Sequence, residues 1–132
     1  MIRRTMIAGL LILATPFSAH AQPRPAPGMV RVAIETAAGT ILVDVDTRRA
    51  PITAGNFLRY VDEKRLDGTV FYRAAPRKGA PTTGLIQGGP RRDFRRILDP
   101  IAHEPTSKTG LSHVDGAISM ARTKPGTAMG DF

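Results

Sequence analysis

The sequence predicts a mainly β domain, a barrel or sandwich capped by one helix. Three observations point there. VRVAIET (30–36) and TILVDVD (40–46) alternate apolar and polar residues with a period of two. β-Branched and aromatic residues concentrate again in TVFYRA (69–74), and strand signals recur in LIQGG (85–89) and DGAISMA (115–121), beside Gly, Pro or Asp-Gly punctuation. Only APITAGNFLRYVDEKR (50–65) clearly changes to a helical period. About five strands and one or two helices in a chain of 132 residues describe one domain at most.

The first 21 residues are expected to stand outside that domain. Arg3 and Arg4, the apolar stretch from Met6 to Phe17, and small residues at Ala19 and Ala21 make the pattern of an export leader cleaved after Ala21. The apolar stretch is shorter than the ~20 residues a bilayer crossing needs, and Pro16 interrupts its end. A twin-arginine route fits loosely, because Thr5, Met6 and Ile7 follow the arginines. A periplasmic or secreted product with no integral membrane segment is expected after cleavage. QPRPAPG (22–28), with prolines at 23, 25 and 27, reads as an extended linker, and the domain is expected over residues 29–132.

Within the domain each element has its own warrant. Val30, Val32 and Ile34 share one face of the first strand and Ile41, Val43 and Val45 one face of the second; Gly39 in the short turn between them can take positive φ. Pro51 suits the first helical turn, where its missing N–H orphans nothing, and Ala54, Phe57, Leu58 and Val61 recur on one helical face. Asp67 and Gly68 end the helix and launch TVFYRA. Pro76, Gly79, Pro81 and Gly84 predict a loop, after which LIQGG forms a short strand and Asp115-Gly116 turns into a last one.

Composition removes several chemistries. The chain has no cysteine, which excludes disulfides, a thiol nucleophile and thiolate metal sites. His103 and His113 remain after cleavage, with no second histidine at zinc-motif spacing, so solvated loop histidines outweigh a metal site near Glu104 and Asp115. Neither a nucleophile elbow nor a phosphate-binding glycine loop is present. Losing Arg3 and Arg4 lowers the formal charge from +8 to +6. RRDFRR (91–96) is the densest basic cluster, but Asp93 interrupts it and short charge runs are commonly solvated, which outweighs a nucleic-acid site. No metal and no cofactor are expected.

GTVFYR, LIQGG and GAISMAR, in that order behind the hairpin and APITAGNFLRYV, together resemble the cyclophilin family of peptidyl-prolyl cis-trans isomerases from about Val30 to Phe132. The resemblance implies an eight-stranded barrel with two helices, acting on proline-containing unfolded polypeptides. It implies a catalytic role for Arg73, whose guanidinium would donate to the proline nitrogen as the amide twists, and for Gln87, which would order the arginine. Leu85, Ala121 and Arg122 fall at substrate-binding positions, and Phe71 at a core position. Departures accompany the match: a longer stretch between Arg73 and Gln87, Gly84 where a pocket phenylalanine is expected, Arg122 for asparagine and Asp131 for glutamine. The resemblance also implies an incomplete barrel, with the C-terminal strands and second helix missing beyond Phe132, less stable than a complete one and prone to associate. Isomerase, proline-peptide-binding module without turnover, and fragment with little autonomous function are the readings this leaves.

Overall fold

The structure, a computed structural model, describes residues 23–132. The leader expected over residues 1–21 and its cleavage point lie outside the described residues. β1 (Met29–Thr36) and β2 (Gly39–Asp46) form the expected antiparallel hairpin. Val30 pairs with Val45, Val32 with Val43 and Ile34 with Ile41, so the alternation read from the sequence gathers six apolar side chains on one face. Gly39 closes the turn at φ +126°. The proline-rich segment ends in a turn, and the Gly28 carbonyl accepts from the Thr47 N–H at 3.1 Å and from its hydroxyl at 2.9 Å, which ties the segment to the end of β2.

α1 (Pro51–Asp62) lays Ala54 and Phe57 against Val32 and Val45, and Leu58 and Val61 pack at the margin of that cluster. Ala50, at the N-cap position, supplies no side-chain cap. The cap comes instead from Glu104: its carboxylate accepts from Ile52 N–H at 3.1 Å and from Thr53 N–H at 2.6 Å. A carboxylate at a helix N-terminus meets both the unpaired donors and the positive end of the dipole. Burial raises the Glu104 pKa, but the bonds from Thr53 and Ile52 outweigh it and leave the carboxyl below its ordinary value. Glu104, a neighbour of His103 in sequence, is thus committed to helix capping.

β3 (Val70–Arg77) and β4 (Ala80–Gly89) form a second antiparallel hairpin. The loop expected across Pro76, Gly79, Pro81 and Gly84 is instead the end of this hairpin, turning at Gly79 with φ +78°. Prolines and glycines are compatible with strands at bulges and edges, and a register shift lies between Pro76 and Arg77. Gly84 sits opposite Pro76, where a Cβ would lie 2.9 Å from the Pro76 Cα. That close approach of backbones excludes any side chain at the position.

The strand expected over 115–121 does not form. After the turn at Asp115 and Gly116, which Ala117 N–H closes onto the Val114 carbonyl at 3.0 Å, residues 117–121 make no ladder, and Ala121 N–H donates to the Asp131 carbonyl at 2.8 Å. A strand requires a partner, which periodicity cannot supply. α2 (Thr106–Thr109) is a single turn. Among the described residues the four strands make two separate two-stranded sheets and close no barrel. Between them lies an open apolar groove of about 560 Å³, lined by Val32, Ile34, Phe57, Val70, Phe71 and Phe132.

The last residues lock onto this frame. Phe132 and Gly88 exchange both backbone hydrogen bonds, at 2.8 and 3.0 Å, which ties Phe132 to β4. The Phe132 ring stands edge-on to Phe57 and Phe71, with centroids 5.4 and 6.1 Å away. Phe71, 37% exposed, thereby packs on the groove side rather than into a closed core. Tyr60 is completely buried, its hydroxyl accepting from Leu98 N–H at 2.7 Å, and Asn56 donates to the Met129 carbonyl at 2.5 Å. One face of α1 therefore anchors the otherwise irregular chain from Leu98 to Met129.

Candidate active site

Arg73 and Gln87 stand opposite each other on β3 and β4, and Arg73 Nη1 donates to Gln87 Oε1 at 3.1 Å. A bulge creates this pair. Phe71 pairs with Gly88, so an unbroken antiparallel ladder would set Tyr72 against Gln87. The register shift between Phe71 and Arg73 inserts one extra residue and brings Arg73 to that position. It also frees Tyr72 to aim elsewhere. Its hydroxyl donates to Asp131 Oδ2 at 2.8 Å.

Asp131 is the centre of the polar framework. Its Oδ1 accepts from Arg91 N–H, and its backbone carbonyl accepts from Ala121 N–H, each at 2.8 Å. The Arg91 guanidinium lies 4.9 Å from the centroid of the Tyr72 ring, a cation–π contact on the other face of the same group. Burial first, then the hydrogen bond and charge of Asp131, push the Tyr72 hydroxyl up to about 12. Tyr72 therefore stays a donor at any physiological pH. Gly89, at φ +124°, allows the approach, since a Cβ there would lie 2.7 Å from the Asp131 Cα.

These contacts frame a cleft of about 280 Å³ lined by Gln87, Ala121, Arg122, Arg91, Met129 and Asp131 among others. Three residues singled out in the sequence, Gln87, Ala121 and Arg122, meet there, and Arg73 joins through Gln87. Leu85 does not line it. It shares the Arg73 face of the hairpin, two residues before Gln87, and is half exposed. The framework residues Tyr72 and Arg91 were missed. Tyr72 reads as one more strand aromatic and Arg91 as one of four arginines in RRDFRR; no local pattern distinguishes either.

Elsewhere in that basic cluster Arg96 has a structural role, while Arg95 makes an exposed ion pair with Asp93. Arg96 Nη1 donates to the carbonyls of Asp67 and Arg65, at 2.6 and 3.2 Å, and pins the loop to the chain between α1 and β3. Phe94 projects into solvent, 84% exposed.

Chemically, the arrangement presents a fixed guanidinium beside a small cleft with an amide neighbour, and no nucleophile poised against a base. Residues 31–132 match the family described as cyclophilin type peptidyl-prolyl cis-trans isomerase/CLD. The peptidyl-prolyl cis-trans isomerase cyp18 of Streptomyces antibioticus is 34% identical over 79% of this chain and 60% of its own length. Peptidyl-prolyl cis-trans isomerase A of Dickeya dadantii is 31% identical over 93% of this chain and 61% of its own. A peptidyl-prolyl cis-trans isomerase of Acinetobacter baylyi is 33% identical over 100% of this chain and 64% of its own. This chain thus spans about three-fifths of the length of these relatives. No solved structure matches it significantly. With the family match covering the described fold from β1 to Phe132, the chain belongs to the cyclophilin-type peptidyl-prolyl cis-trans isomerases.

Proposed function

We propose that this chain catalyses rotation about X-Pro peptide bonds of unfolded polypeptides, with Arg73 as the catalytic donor, Gln87 as its positioning partner, and Ala121 and Arg122 as substrate contacts; Leu85, outside the cleft, is not assigned that role. The observation that carries the reading is the Arg73–Gln87 pair, installed by the bulge at Tyr72 beside the cleft. Amide resonance imposes a barrier of about 18–20 kcal/mol on this rotation. In the twisted state the proline nitrogen regains its lone pair. A guanidinium that donates to that nitrogen stabilises the twisted state more than either planar one, which is the condition for catalysis. Gln87 Oε1 accepts one N–H of Arg73 and leaves its other donors free for substrate. Nothing in this mechanism needs a nucleophile or a cofactor.

The test is an isomerisation assay on proline peptides. Arg73→Ala should lower kcat/KM about 100-fold, the scale of removing one preorganised transition-state donor. Arg73→Lys should recover little of it, because the ammonium lacks the planar fork. Unchanged turnover in Arg73→Ala refutes the mechanism. The leader read in residues 1–21 supports a periplasmic or secreted place of action, on exported proteins as they fold. Mature protein recovered after export should begin at Gln22, and an intact mass retaining residues 1–21 sinks that part.

A second reading, a proline-peptide-binding module without turnover, is favoured by Gly84. Backbone crowding leaves no room for an apolar side chain there, and Leu85 lies outside the cleft. Peptide binding that survives Arg73→Ala, with no isomerisation by the unaltered chain, would select this reading.

A further inference from the structure

Among the described residues some arginines are offset by a carboxylate, while Arg24, Arg48, Arg77, Arg92 and the three around the cleft are not. Arg31, Arg49, Arg59, Arg65, Arg95 and Arg96 each pair with a carboxylate. Among the described residues Arg73, Arg91 and Arg122 make no ion pair: Arg73 donates to the neutral Gln87 amide, and Arg91 lies against the Tyr72 ring. Arg91 and Arg122 line the same cleft as Gln87, and both are exposed. The one carboxylate in that lining, Asp131, already accepts at both oxygens, from the Tyr72 hydroxyl and from the Arg91 backbone. Two guanidiniums therefore line the cleft and a third, that of Arg73, joins it through Gln87, with no side-chain carboxylate bound to any of them.

We infer that this site selects prolines flanked by acidic residues, Asp or Glu within two positions of the X-Pro bond, using Arg91 and Arg122 as the charge-reading pair. This rests on the isomerase reading for the placement of the substrate, since Gln87 both holds Arg73 and lines the cleft. A residue occupying the cleft is then a close neighbour of the proline that Arg73 engages. Exposed guanidiniums at such range favour a carboxylate over an ammonium through a screened field, so the preference is several-fold and depends on salt. Pro90, Ile97 and Met129 supply the apolar part of the same lining, so the charge preference adds to an apolar contact and does not replace it.

The experiment uses matched peptides carrying Glu, Ala or Lys at each of two positions on either side of one proline. Isomerisation rates and binding constants are measured on the same set. Glu peptides should exceed Lys peptides about fivefold at low ionic strength, and the ratio should fall to below about twofold in 0.5 M salt. Arg91→Gln and Arg122→Gln should each reduce the ratio, whereas Lys108→Gln, which removes a charge on α2, should leave it in place. The salt series on the unaltered chain decides the matter even if a variant folds poorly. Equal values for Glu and Lys peptides overturn the inference and leave the isomerase reading standing. Acid-preferring binding without turnover supports the inference and overturns the isomerase reading, and absence of both binding and turnover overturns the two together.

Discussion

Glu104 caps α1 from 52 residues away in sequence, and its removal should loosen the whole C-terminal stretch, not the helix alone. Its carboxylate is the side-chain acceptor for Ile52 and Thr53 N–H, at 3.1 and 2.6 Å, on a helix whose own N-cap residue is alanine. Cap and dipole interactions are each worth about 1 kcal/mol, and partial exposure screens them. Glu104→Ala should therefore cost about 1–1.5 kcal/mol near pH 7 and Glu104→Gln, which keeps a neutral acceptor, about half that. In thermal unfolding followed by circular dichroism, the Ala variant should melt about 4–8 °C lower.

The pH dependence follows from the direction of the shift. A carboxyl whose folded pKa lies below its ordinary value of 4.5 contributes stability that is fully present above 4.5 and is lost as pH falls through the folded pKa. The gap between the unaltered chain and Glu104→Gln should accordingly be full at pH 7 and vanish in acid. Equal melting temperatures at pH 7, or a gap that persists unchanged well below the folded pKa, would refute the capping argument.

Gly130→Ala should destabilise by more than about 2 kcal/mol, because a Cβ would lie 2.5 Å from the fully buried Tyr60 ring and 2.7 Å from Pro90; a denaturant midpoint equal to that of the unaltered chain rejects it. Tyr60→Phe leaves the Leu98 N–H without its partner and should cost about 1–2 kcal/mol in the same measurement. Burial raises both tyrosines above their ordinary 10.0, Tyr72 to about 12, so absorbance at the tyrosinate band should show less than half ionisation at pH 10. The neutral hydroxyls contribute stability that is present below 10 and lost as pH rises through the raised values. Asp131→Asn should bring the Tyr72 titration down, and a midpoint that does not move contradicts its hydrogen bond.

Much of the fold was legible because it is written in short-range patterns. Alternation at Val30, Val32, Ile34 and at Ile41, Val43, Val45 requires only the pleat of a strand, and Ala54, Phe57, Leu58 and Val61 only the pitch of a helix. The order of motifs then identified the family and, with it, the Arg73–Gln87 pair. What failed were statements about partners. Ile118 and Met120 have strand composition but no neighbouring strand to pair with, and the residues from Pro76 to Gly84 have loop composition yet are held as a hairpin by their register.

By itself the sequence determined the two faces of the first hairpin, the buried side of α1, the absence of thiol chemistry and the family. Tertiary structure alone decided that a bulge places Arg73 opposite Gln87, that Tyr72 and Arg91 frame the cleft through Asp131, and that Glu104 caps a helix 52 residues away. Periodicity reports how a side chain is oriented relative to its own backbone. Register, capping and close approach depend on which distant backbone arrives beside it, and that is settled only when the chain packs.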